Sequence, residues 1–195
     1  GHDLNLISKS PMVRARILKV NDKDYERDIG KEGFKTREEE QDARFRNRGI
    51  NLSFREKLSD SEFIVSGKEF SGVYKSDLEK LPELSVEKRY AERMGLNLGD
   101  KVLFDIQGVE MIGEIVNFRK VRWTSFQPNF FILFQPGVLE EAPKTWLAAL
   151  PSMEMTARSS IQSDIVKLFS NVSIIDVVRT VENALEVAKK MSWSL

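Results

Sequence analysis

The residues that could do chemistry are few, and their spacing excludes more than it suggests. Asp100 and Asp105 sit close to turn signals at Gly99 and Gly108. A glycosidase-type pair needs two carboxylates facing one sugar ring across a cleft, so these two make a weak hydrolase reading. The acids in DKDYERD at 22–28 lack the glycine and the terminal glutamate of a calcium loop. The single histidine is His2, in a Gly-His start that reads as a tag remnant, and cysteine is absent. A Ser-His-Asp triad, a histidine base, a His-ligated zinc or iron and a thiolate nucleophile are therefore all out of reach. Neither GxGxxG nor GxxxxGK[ST] occurs, so no glycine-rich loop cradles a phosphate. Asn171-Val172-Ser173 matches a glycosylation sequon, but so short a match carries little. The residues describe a non-enzyme with no cofactor.

One stretch remains as a candidate binding element. Arg119 to Gly137 reads RKVRWTSFQPNFFILFQPG, with Trp123, Phe126, Phe130, Phe131 and Phe134 within twelve positions, Pro128 and Pro136 bracketing the run FFILF, and a basic rim of Arg119, Lys120 and Arg122. Aromatics at this density make either a core or a contact surface. Phe130, Ile132 and Phe134 alternate with Phe131 and Leu133, and a strand apolar on both faces is normally central and buried. That leaves Trp123 and Phe126, at the turn through Asn129, as the contact candidates.

Elements at recognisable periods position this stretch. Val13, Ala15 and Ile17 alternate with Arg14 and Arg16, which predicts a strand with one buried face. Thr36 with Glu39 forms a capping box for a mostly exposed helix that stops near Gly49. Residues 51–54 and 62–67 read as short strands, and 68–84 as a loop. Ser85 is placed as the cap of a helix carrying the stripe Val86, Tyr90 and Met94 and ending at Gly95. KVLFDI then turns through Gln107-Gly108 into VEMIGEIVNFRKV as a hairpin. Further on, 145–150 and 172–175 read as buried strands. A helix from Ser159 or Ser160 carries Ile161, Ile165, Leu168 and Phe169, and Asp176 caps a last amphipathic helix to the end.

The balance of the chain is that of an ordinary folded protein. Its 195 residues are 31% charged and 41% hydrophobic, and 30 basic residues cancel 30 acidic ones. No global field draws in nucleic acid or an anionic membrane. No apolar run approaches the roughly 18–20 residues of a membrane-crossing helix.

A resemblance is carried by PMVRARI at 11–17, by 51–67, by SVEKRYAERMGLNLGDKVLFDIQG at 85–108, by the aromatic stretch and by the tail from Phe169. These segments resemble the extracytoplasmic domain of bacterial ABC transporter permeases of the FtsX/MacB-like superfamily, YbbP-type. Arg119, Trp123, Phe126, Pro128, Asn129, Phe130 and Phe131 match its most specific run. The segments 24–48 and 71–84 depart from it. The resemblance implies an α+β, two-lobed MacB-like domain: a discontinuous α/β lobe from 1–60 and 141–195 with a β-rich lobe inserted at 61–140. It also implies a piece of a longer integral membrane protein, on the periplasmic face of the inner membrane. Its partners would be its own transmembrane helices, a cytoplasmic ATP-binding subunit, a second copy, and a hydrophobic or lipid-linked cargo, with no nucleic acid. The competing readings are a free-standing periplasmic interaction or chaperone-like module and, more weakly, the histidine-free hydrolase on Asp100 and Asp105.

Overall fold

Alternating residues make the longest strands, and long-range pairing joins them into one closed sheet. In the computed structural model, which describes residues 6–25, 36–76, 79–125 and 127–177 (without the side chains of Asp42 and Phe45), β1 is Ser8–Val20. Val13, Ala15 and Ile17 are buried, while Arg14 and Arg16 are exposed, as the alternation requires. Asn21 and Asp22, both at positive φ, turn the chain into the two-residue β2, Lys23–Asp24. Helix α1, Arg37–Arg46, begins where the Thr36 hydroxyl accepts the Glu39 amide at 3.2 Å. There follow β3, Ile50–Phe54; β4, Glu62–Gly67; β5, Glu83–Glu87; α2, Lys88–Met94; β6, Lys101–Ile106; and β7, Val109–Val121. A 3₁₀ turn at Trp123–Ser125, then β8, Ile132–Phe134, β9, Thr145–Ala149, and α3, Met155–Leu168, complete the elements.

The pairings form a ring. β1 pairs with β3, β3 with β8, β8 with β5, β5 with β7, β7 with β6, and β6 with β1. The β3–β8 and β5–β7 pairs are parallel and the other four antiparallel. A six-stranded barrel is narrow enough for side chains alone to fill it. Val13, Ile17, Leu52, Leu84, Val102, Phe104, Ile132 and Phe134 do so, with Phe104 and Phe134 edge to face at 5.3 Å. Outside the ring, β4 pairs with β7, and β2 and β9 pair with β1. Tyr90, Ala91 and Met94 of α2 belong to the same core.

This overturns the expected α+β, two-lobed MacB-like architecture. The described residues are mostly β, with a closed barrel and three short helices. The barrel is not an insert at 61–140, because β1 and β3 supply two of its six strands. Alternation identified those strands but holds no information about their partners. The described residues fall into two compact units, Ser8–Ala148 and the flanking residues, described over 6–7 and 149–177.

Other expectations change in detail. Ser85 does not cap α2; it lies buried inside β5, and Glu87 caps instead by accepting the Tyr90 amide at 2.7 Å. The apolar run at 172–175 forms no strand and lies mostly exposed, and β9, expected to be buried, has no fully buried residue. In the flanking unit, Ile161 is the buried residue of α3, while Leu168 and Phe169 are exposed. The last helix expected after Asp176 lies outside the described residues beyond 177.

Candidate functional site

The aromatic loop is held from beneath by two arginines, the buried Arg119 and the half-buried Arg55, that share one glutamate. Register places Arg119 of β7 opposite Ile64 of β4 and Glu87 of β5. It is fully buried rather than part of a basic rim, although Lys120 and Arg122 are exposed as expected. Its Nε donates to Glu62 Oε1 at 3.1 Å and its Nη1 to the Ser85 carbonyl at 2.6 Å. The same guanidinium donates to the carbonyls of Phe130 and Phe131. Burial pulls Arg119 down from its ordinary value to about 10, against the opposing pull of Glu62. The other Glu62 oxygen accepts from Arg55 Nη1 at 2.9 Å and from the Ser59 amide at 3.2 Å. Arg55 in turn donates to the Pro128 carbonyl at 3.3 Å. Three carbonyls of the β7–β8 loop are thus bound to cations, and charge-assisted bonds are the strong ones.

So anchored, the loop presents its rings. Phe130 is buried, with Arg55 over its ring at 6.0 Å. Phe131 stacks on Tyr90 of α2 at 4.8 Å, and Trp123 tilts against Phe131 at 5.1 Å while remaining 45% exposed. Asn129 accepts from the Ser61 hydroxyl at 3.3 Å and donates to Ser125 at 3.4 Å. Phe126 lies outside the described residues. The strand itself is central. Ile132 and Phe134 fill the barrel, and Leu133 is buried on the outer face between Ser53 and Ser85, its register partners.

Beside these rings opens a cavity of about 330 Å³, within the range of small-molecule sites. The β7–β8 loop supplies Trp123, Asn129, Phe130 and Phe131, and α2 supplies Tyr90. Arg46 ends α1, and Arg48, Gly49, Ile50 and Asn51 lead into β3. Tyr25 follows β2, and its ring lies under the Arg46 guanidinium at 5.1 Å. Burial pushes the Tyr25 and Tyr90 phenols up from their ordinary value. Both stay neutral in ordinary conditions.

Of the residues singled out in the aromatic stretch, Trp123, Asn129, Phe130 and Phe131 line this cavity, and the rest of its lining comes from outside that stretch. Tyr90 was legible only as a member of a helical stripe. Nothing in the spacing of Tyr25, Arg46 and Arg48 announces that they line one cavity with Phe131. The acids considered for hydrolysis serve turns instead. Asp100 accepts from Asn21 Nδ2 at 2.8 Å and the Asn97 amide at 2.7 Å, and Asp105 accepts from the Gly108 amide at 2.7 Å.

No family model matches the chain. Over 167 residues, 86% of its length, it is 30% identical to the uncharacterized ABC transporter permease YbbP of Escherichia coli (strain K12). The chain is related to an ABC transporter permease. It spans 18% of the length of that relative, so the match concerns one segment of a much larger protein. Among the described residues no helix is long and apolar enough to cross a membrane.

Proposed function

We propose that this chain is an extracytoplasmic, periplasmic domain of an ABC transporter permease subunit whose other segments cross the inner membrane. In this reading it performs no catalysis. A cytoplasmic ATP-binding subunit hydrolyses ATP, and the domain relays the resulting motion or engages a hydrophobic or lipid-linked cargo or partner at the aromatic cavity. The observation that carries the reading is the 30% identity over 86% of the chain to one part of a permease. The closed barrel supports it physically: a ring of paired strands resists shear, and the cationic anchors tie the aromatic loop to that ring.

The side of the membrane can be tested directly, since the chain has no cysteine of its own. Glu110 is exposed in the β6–β7 hairpin. Glu110→Cys, placed in the full-length permease with its other cysteines replaced, should react with a membrane-impermeant maleimide in cells whose outer membrane has been permeabilised. Labelling that needs rupture of the inner membrane would refute the assignment.

A further inference from the structure

The cavity beside the β7–β8 loop has a chemical polarity of its own. Its described lining carries Arg46 and Arg48 and no aspartate or glutamate, in a chain whose 30 acidic residues equal its 30 basic ones. The stacked Tyr90 and Phe131 line the same cavity, and Trp123 leaves a large ring 45% exposed there. Arg46 is held in place by its bond to the Met94 carbonyl at 3.3 Å and by the Tyr25 ring. Arg48 is exposed and makes no ion pair among the described residues.

We infer that this cavity binds an amphipathic anion, an apolar body carrying a carboxylate or phosphate head. The apolar body lies against Phe131 and Trp123, and the head meets Arg46 and Arg48. A neutral apolar molecule gains nothing from two arginines, and a cation is repelled by them. An inorganic anion makes no use of the aromatic wall. Only a ligand with both parts is complementary to the whole lining. The inference deepens the cargo-contact reading above and rests on it for the meaning of the site, but its test does not depend on membrane topology.

Calorimetry on the 195-residue chain, below the micelle concentration of each probe, decides the matter. Decyl phosphate and decanoate separate the two possible heads, decyltrimethylammonium inverts the charge, and inorganic phosphate removes the tail. The expected result is saturable binding of at least one decyl anion, with the ammonium and inorganic phosphate at least about tenfold weaker. Arg48→Glu, at an exposed position outside the barrel strands, should weaken the anion about tenfold and narrow or reverse the preference over the ammonium. Trp123→Ala should weaken both amphiphiles. The inference is overturned by equal binding of decyl anion and ammonium, by an Arg48→Glu variant of unchanged preference, or by no binding to a chain shown folded by circular dichroism. Failure here would leave the maleimide result standing, and failure of the maleimide result would leave this binding standing.

Discussion

Arg119 shows what a single side chain can carry when it is fully enclosed. In the sequence it is the first cation after an apolar strand, and the obvious reading is a solvated rim. In the structure it is 0% exposed and tied to Glu62, Ser85 and two loop carbonyls. A buried charge without its partners is far costlier than a surface charge, so the cluster stands or falls together. Arg119→Ala should therefore lower unfolding stability by about 3 kcal/mol or more. Arg119→Lys should recover only part of it, because an ammonium lacks the planar fork that reaches Glu62 and the carbonyls at once. Urea unfolding midpoints measure both. A loss below about 1 kcal/mol for the alanine variant, the scale of an exposed pair, would refute this account. Phe130 and Phe131 were legible as apolar residues, but their assignment to core and cavity wall needed the carbonyl anchors, which no side-chain pattern reports.

At the scale of elements, local signals located β1, β3, β4 and the β6–β7 hairpin but missed β5, whose residues read locally as the end of a loop and the start of a helix. Ser85 is a good cap by type, yet β5 is claimed by β7 on one side and β8 on the other. Ladder pairing on both edges outweighs a single cap, and Glu87 takes over that role at the end of the strand. The four-residue apolar run at 172–175 failed in the opposite direction, because hydrophobicity without a pairing neighbour makes no strand. Gly67 ends β4 in a conformation that only pairing explains. Its φ is +88, and a Cβ there would lie 2.2 Å from the Val116 carbonyl oxygen. Gly95, the C-cap of α2, also has positive φ (+70) but open space around it. Gly95→Ala should thus cost about 1–2 kcal/mol, the conformational penalty alone. Gly67→Ala should cost clearly more, since rigid backbone must move. Thermal unfolding of the two variants gives the comparison, and equal losses would contradict the structure at β4.

For the whole molecule, closure of the ring is the decisive event. Each barrel strand finds both neighbours within Ser8–Ala148, so this unit should fold without the flanking residues. A fragment of residues 8–148 is expected to unfold in one cooperative transition with dispersed amide resonances. A molten or aggregated fragment would show that the barrel depends on the flanking unit. Apolar alternation, turn residues and capping side chains are encoded within a few positions of one another, so the chain by itself determined β1, β3, β4, the β6–β7 hairpin and the existence of α1 and α2, but not β5. The absence of cysteine also excludes a thiolate nucleophile or a disulfide within this chain. Which strands pair, and hence that β1 and β3 join β5 to β8 in one ring instead of forming a separate lobe, depends on contacts far apart in the chain. The same distance hid the cavity: Tyr25, Arg46, Arg48 and Phe131 become neighbours only after the ring has closed.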